Sequence, residues 1–571
     1  MKNSLLVLSL VFAFGCQTVK ENKEAVALNK RASCVPVTSD KAWYKSNSIA
    51  PLFENLGDLH FPVSTDNELA QKYFDQGLVL AYGFNHAEAA RSFYYASKLD
   101  PECAMAYWGY AYVLGPNYNA GMESDNYERA YVAIQTAIDL AKDRATEKER
   151  SLIMALSKRY VKEPVADRYA LDEAYAAEMM ILHQEFPDDA DIGALTAEAM
   201  MNLHPWDLYD AAGNLKEWTP PILNTLEGIL EKHPEHSGAN HFYIHAIESS
   251  QTPEKGLISA KRFDDGLVPN AGHLVHMPSH IYIRTGDYHK GSLANIQAIV
   301  VDSTYVSACN AQGAYPLAYF PHNQHFLAAT ATLEGNSHWA LQAADAVAAN
   351  ANLQLMKEPG WGTIQHYYTI PFYVYVKFGK WDEILRMENA ASGLDYPTAM
   401  LHYARGMAFA AQGHIEKAKA ELSSLAALAA NETLKEVTIW DINSVYELVQ
   451  IAEKVLRAEI LAEGQNYDQS ITMLKEAIAI EDKLNYNEPP DWFFSVRHSL
   501  GAHQLAAGKA REAVQTYLAD LERLPRNGWA LHGLVQAYTK LNEVAKAQEL
   551  AKQWKTAWAH ADVELQGSVV E

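Results

Sequence analysis

The sequence predicts an all-α protein, a solenoid of antiparallel helical hairpins wound as a right-handed superhelix behind an N-terminal export signal and tether. Three observations predict it. No segment shows the period-two alternation of a half-buried strand, whereas apolar residues recur at helical spacing along nearly the whole chain. Gly or Asn turns punctuate the helical stretches, at Gly286-Asp287-Tyr288, Gly335-Asn336, Gly379-Lys380-Trp381, Gly413-His414, Gly464-Gln465-Asn466-Tyr467 and Gly508-Lys509. The interval from Gly379 to Gly413 is 34 residues, the length of a helix–turn–helix repeat, and the 44 residues from Gly335 to Gly379 imply longer helices or loops.

The N-terminus is the first element. Lys2 precedes an apolar run from Leu5 to Phe14, broken only by Ser9, which is too short to span a bilayer and reads as the hydrophobic core of a secretory signal. It closes with Ala13-Phe14-Gly15-Cys16, which resembles a bacterial lipobox, and that resemblance implies cleavage before Cys16 and lipidation, palmitate included, of its thiol. Gln17 after the cysteine resembles lipoproteins sent to an outer rather than an inner membrane. Residues 1–15 are thus the expected signal peptide and 16–45 a flexible tether, polar and of mixed charge from Val19 to about Asp40. The expected location is the cell envelope, with the membrane as a partner through the lipid. Of the four cysteines, Cys34, Cys103 and Cys309 remain, an odd number with no CxxC pair, so thiolate metal clusters are not expected and Cys309 reads as buried packing.

The first complete hairpin is "DQGLVLAYGFNHAEAARSFYYASKLDP", in which Gly77 is followed by Ala89, Phe93, Ala96 and Pro101. Small residues at these spacings let two helices approach, the aromatic fills the groove between them and proline ends the unit. "ECAMAYWGYAYVLG" then opens another helix, and near the C-terminus Leu500-Gly501, Ala513, Tyr517, Pro525 and Trp529 repeat the pattern. On these residues the chain resembles the tetratricopeptide-repeat family over most of residues 60 to 555. "ECAMAYWGYA", "GANHFYIHAIE", "AGHLVHMPSHIYIRTGDY", "PHNQHF" and "VRHSLGAHQLAAG" further resemble a group of long, poorly characterised bacterial tetratricopeptide-repeat lipoproteins. The resemblance implies a fold and a compartment and no activity. It divides the body into N-terminal repeats (46–203), a central His-rich segment with a loop insertion (204–330) and C-terminal repeats (331–565). The insertion, with "HPWDLYDAAGNLKEWTPPI" and "EKHPEHSGANH", brings Pro, Gly and turn chemistry, and Asp207, Tyr209 and Asp210 read as a structured loop.

Charge bounds the partners. Against 70 Asp and Glu stand 47 Lys and Arg, a net charge of −23 with no basic patch, so nucleic acid is not an expected partner. Abundant Tyr and Trp suit helix packing and also leave glycan surfaces open as a weaker reading.

Histidine is where composition departs from a plain scaffold. Residues 233 to 289 hold eight of the 22 histidines, where even scatter places about two. His241, His245 and Glu248 stand at i, i+4 and i+7 and project from one helix face, a set that zinc or iron accepts with positions left for water or substrate. Asn240 is the expected cap of that helix and Gly238 the turn before it. His273, His276 and His280 follow at i, i+3 and i+7, but Pro278 either starts the helix, leaving the first two in a loop, or kinks it. His322 and His325 in "PHNQHF" complete the candidate metal set, and His366 precedes Pro371. Successive helices of a solenoid line one face, so these side chains can converge there. The H-E-x-x-H, Walker A, Gly-rich dinucleotide and G-x-S-x-G motifs are absent, and no residue is assigned a catalytic role.

The leading functional reading is a lipid-anchored interaction scaffold or accessory protein that binds a protein or peptide in its concave groove. The alternatives are a hydrolase or oxidase on the same scaffold, dependent on a divalent metal, zinc or iron, and a surface accessory protein in glycan capture.

Overall fold

The computed structural model describes residues 41–45, 48–309 and 319–570, whose regular elements are almost all helices. The signal, Cys16, Cys34 and the tether up to residue 40 lie outside the described residues, as does the side chain of Cys309. The last residues assigned to the tether form a short helix, α1 (Lys41–Lys45), with the Tyr44 ring edge-on to Tyr94 at 5.1 Å.

The N-terminal repeats are α2 (Glu68–Tyr82), α3 (His86–Leu99), α4 (Ala104–Leu114), α5 (Tyr127–Arg144), α6 (Glu147–Ser157), α7 (Tyr169–Glu185) and α8 (Ala190–Met201). Each packs on the next, as helical hairpins joined by short turns must. The spacing argument holds in detail. Phe93 of α3 lies in the groove between α2 and α4, where a methyl on Gly77 would come within 2.8 Å of its ring and one on Gly109 within 2.3 Å. The same lock recurs at the C-terminus, with the buried Tyr517 ring against Gly501 and Gly533. A ring clamped by glycines of two flanking helices is what lets these helical hairpins pack closely on one another. Cys103, before α4, is buried, and burial pushes its thiol up to about 11, so it packs as an apolar residue.

The central segment begins with the expected structured loop. Asp210 Oδ1 accepts from the backbone N–H groups of Ala212 and Asn214, and the Tyr209 hydroxyl donates to the Ala246 carbonyl at 2.8 Å. Then come α9 (Thr219–Lys232), α10 (Ser237–Ile247), α11 (Leu257–Asp264), α12 (Gly272–His276), α13 (Pro278–Thr285), α14 (Tyr288–Cys309) and α15 (Phe320–Glu334). Two local expectations are corrected here. The cap of α10 is His236, whose Nδ1 accepts from Ala239 N at 3.0 Å, while Asn240 lies inside the helix and donates to the carbonyls of Pro234 and His236. Gly238 is also helical, and it is needed because a side chain there would meet the Tyr82 ring at 2.8 Å.

The C-terminal repeats are α16 (Ser337–Ala349), α17 (Gly362–Lys377), α18 (Trp381–Arg386), α19 (Asp395–Ala411), α20 (Ile415–Ala429), α21 (Val445–Glu463), α22 (Tyr467–Glu481), α23 (Arg497–Ala506), α24 (Ala510–Arg523), α25 (Gly528–Lys540) and α26 (Val544–Ala557). One small sheet departs from the expected absence of strands: β1 (Thr438–Ile439) pairs antiparallel with β2 (Asn443–Ser444).

Two features were not expected of an open solenoid. The C-terminal hairpins return to the middle of the chain: Trp529 Nε1 donates to the Thr332 carbonyl at 2.8 Å, Tyr288 donates to the Pro525 carbonyl at 2.8 Å, and the Asp562 carboxylate accepts from Ser337 N and His338 N. The segment between α22 and α23 is also tucked inward, with Trp492 and Phe493 buried and Phe493 stacked on His325 at 5.0 Å. The chain itself therefore fills the face beside α15 and α17. Among the described residues no helix is long and apolar enough to cross a membrane.

Candidate metal centre

Three parts of the chain bring histidines together. α10 is buried along its whole length, and its turn spacing sets His241 above His245 with Glu248 just beyond its end. Pro278 interrupts the ladder between α12 and α13, but Met277 keeps helical dihedrals (φ −52, ψ −33), so the two helices continue one another through a joint. His273, His276 and His280 thereby remain on one side, which is the kinked alternative and not the loop. α15 enters with Pro321 at its first turn and supplies His322.

The six imidazoles form an unbroken chain of ring contacts. Centroids are 4.8 Å apart for His241 and His245, 5.0 Å for His241 and His273, 5.8 Å for His273 and His276, 4.8 Å for His276 and His280, and 4.9 Å for His276 and His322. Two separate triads have ligand atoms within 4.8 Å of one another: His241, His245 and His273, and His276, His280 and His322. His245, Glu248 and His280 form a third such group between them. Apart from the half-buried His322, the other five histidines and Glu248 are between 0 and 3 % exposed.

Hydrogen bonds fix which nitrogen faces inward. His241 Nδ1 donates to the carbonyl of Tyr82. His245 Nδ1 donates to Glu248 Oε1 at 2.7 Å, and His280 Nδ1 to Glu248 Oε2 at 2.5 Å. His276 Nδ1 donates to Asn295 Oδ1 at 2.7 Å; the amide is oriented because Asn295 Nδ2 donates to the Gly291 carbonyl. With Nδ1–H committed in all four, each Nε2 of a neutral ring is a bare lone pair. His276 Nε2 and His280 Nε2 nevertheless face each other at 2.8 Å, and His245 Nε2 is buried with no partner. His241 Nε2 lies 3.1 Å from His273 Nε2, while His273 Nδ1 and His322 Nδ1 are likewise buried and unpartnered. Opposed lone pairs repel unless a cation lies between them. Two nitrogens bound to one ion at about 2.0–2.1 Å stand about 2.9–3.4 Å apart, a range that holds the 3.1 Å His241–His273 separation and lies just above the 2.8 Å His276–His280 separation. Outward Nδ1–H bonds to carbonyl and carboxylate oxygens are also how metal-bound imidazoles are oriented.

Both oxygens of Glu248 accept from imidazoles, one from each triad, so it orients two rings, and with His245 and His280 it also forms the third group whose atoms could hold an ion. Its carboxyl is driven up by burial but down more strongly by His280 and His245, and lies at about 2. Burial, joined by repulsion from neighbouring imidazoles, holds His241, His273, His276 and His322 well below the ordinary histidine value, so these rings are neutral and ready to bind metal at neutral pH. His325 is a correction: it lies three residues after His322 yet leaves the cluster, sitting 5.4 Å from His366 and under Phe493, with both ring nitrogens unpartnered. His366 pairs with the Tyr396 hydroxyl at 2.8 Å.

The walls are aromatic and strained. Phe84 (φ 54) lies 4.6 Å from His241, Trp206 (φ 56) 5.6 Å from His245, and Trp440 (φ 53) 6.5 Å from His322. Left-handed backbone at a bulky residue costs about 1–3 kcal/mol each and concentrates at functional sites. Tyr82, Asn295 and these three aromatics complete the site, as does the Tyr486 hydroxyl, 3.3 Å from Glu248 Oε2. Sequence reading missed them all; the Tyr82 and Tyr486 partners are 159 and 238 residues from their histidine and glutamate, beyond any local pattern. A cavity of about 270 Å³ lined by Gly83, Asn85, Asn270, Gly272, His273 and Asp302 reaches the first triad.

The neutral histidines carry a pH consequence for the metal-free protein. Their affinity for protons is lower folded than unfolded, so the unfolded state takes up more protons as the pH drops below about 6.5. Stability is therefore full above about pH 7 and falls with acidification, by up to about 1.4 kcal/mol per pH unit for each such imidazole. Urea midpoints at pH 7.5 and 5.5 check this; equal midpoints contradict it.

Fold and site together define a class: an α-helical repeat protein enclosing a buried polyhistidine cluster. No protein-family model and no curated protein matches the sequence. Solved structures with some likeness include the human IFIT1 dimer with m7Gppp-AAAA (12% identity, 94% of this chain, 95% of that chain, TM-score 0.30), the APC/C hetero-tetramer Cut9-Hcn1 (11%, 88%, 76%, 0.28) and yeast Tom70 (12%, 86%, 93%, 0.26). At such scores nothing about the site or the activity of this chain follows from them.

Proposed function

We propose that the chain is a metalloprotein, its helical hairpins forming a scaffold for a transition-metal centre built from His241, His245, His273, His276, His280 and His322. The observation that carries this reading is the His276–His280 contact, where two Nε2 atoms face each other at 2.8 Å while both Nδ1 atoms are hydrogen-bonded elsewhere. A set of three imidazoles leaves coordination positions open, and the adjoining cavity gives a small ligand room, so hydrolytic or oxidative chemistry is the use the geometry supports best. Protein purified without chelators and analysed by plasma mass spectrometry is expected to hold stoichiometric transition metal, lost when His276 and His280 are both changed to Asn. Metal at trace level, together with a melting temperature unmoved by added zinc, copper or iron, removes the reading.

The same hairpins support a protein-binding scaffold as the second reading, on their outer surfaces in preference to the face filled by residues 485–496. Glycan capture has less support, because among the described exposed large hydrophobics only Tyr169 is aromatic. The signal-like run and Cys16 support export and lipid anchoring at the cell envelope, on the outer membrane. Cys16→Ser is expected to move the protein from the membrane to the soluble fraction; retention in the membrane contradicts anchoring through that thiol.

A further inference from the structure

We infer that the centre is dinuclear and takes two copper ions in the monovalent state, one in each triad. This rests on the metal reading above and adds the number and kind of ion. The triads share no residue, and they are neighbours: the His245 and His280 rings are 5.4 Å apart and the His273 and His276 rings 5.8 Å. Glu248 gives one oxygen to an imidazole of each triad, so a single carboxylate positions both halves.

Charge selects the ion. Six imidazoles, which must be neutral to bind a metal, and one carboxylate supply a single negative charge in a largely buried site. Two divalent ions would leave +3 buried, two monovalent ions +1, and uncompensated buried charge is strongly unfavourable. Beside Glu248, Arg284 and Glu488 oppose each other, and Asp302, which lines the cavity with His273, adds one further negative charge, which still leaves two divalent ions uncompensated. Iron sites of this size favour a coordinating carboxylate, whereas both oxygens of Glu248 already accept from imidazoles, and imidazole is an accepted ligand of copper.

The test is an anaerobic titration of the full metal-free chain against the copper(I) complex of bicinchoninate, with loss of the complex's colour as the readout. The expected result is two copper(I) ions per chain, one remaining after His276→Asn with His280→Asn, one remaining after His241→Asn with His245→Asn, and neither displaced by a tenfold excess of zinc. Helical circular dichroism of each variant shows whether it is folded, and the wild-type count stands without them. One ion per chain, or copper displaced by zinc, overturns the dinuclear copper assignment and leaves the metal centre itself intact. No ion of any kind overturns both.

Discussion

Glu248→Ala lowers the stability of the metal-free protein by about 3–5 kcal/mol and the affinity for metal by about 10–100-fold. Glu248 is 1 % exposed and accepts from His245 and His280, so its removal strands two buried N–H groups at once. The metal effect has a separate cause: without the carboxylate both rings are free to turn or change tautomer, and each triad loses the alignment of one ligand. Glu248→Gln keeps the shape and one acceptor and should fall between wild type and Ala in both measurements. Urea unfolding followed by circular dichroism gives the first number and competition against a metal indicator the second. Unchanged stability in the alanine variant would mean that the carboxylate holds nothing in place.

Trp529→Ala is expected to destabilise by about 3–5 kcal/mol, the range for emptying a buried aromatic site, and to speed metal release although Trp529 touches no histidine of the cluster. The ring is fully buried against Phe378 and Trp558, the Lys377 ammonium lies 3.9 Å over its face, and its N–H holds the Thr332 carbonyl near the end of α15. α15 also carries His322, so loosening one end of the helix relaxes a ligand at the other. Stopped-flow transfer of metal to a chelator measures the release rate. A variant that melts earlier but releases metal at the wild-type rate separates the two ends of α15 and contradicts the coupling.

How far the sequence could be read follows from the range of each interaction. The hairpins were legible because Phe93 with Gly77 and Gly109, and Tyr517 with Gly501 and Gly533, act between neighbouring helices at fixed spacing. The histidine density was legible, and so was the shared face of His241 and His245, since one turn of helix dictates it. The role of Glu248 was not, because only the arrival of His280 from another helix shows that both carboxylate oxygens are engaged. His325 stands apart because the i, i+3 spacing does not say which neighbouring helix each ring meets: His322 packs on His276, while His325 meets His366 of α17 and Phe493. Pro278 left two conformations open by its own chemistry, and packing around Met277 chose between them. The return of α24–α26 and the inward segment 485–496 have no local signature at all.

That return also sets an order of events in folding. All six histidines belong to helices that end by residue 334, yet Tyr486 reaches Glu248 across 238 residues and Trp529 reaches Thr332 across 197. A chain emerging from the N-terminus has every imidazole well before it has the pieces that seal them in. Loop closure over such distances is slow and comes last. Until it does, Glu248 lacks its Tyr486 contact and α15 its tie to Trp529, so the walls around the histidines close only after the histidines themselves are in place.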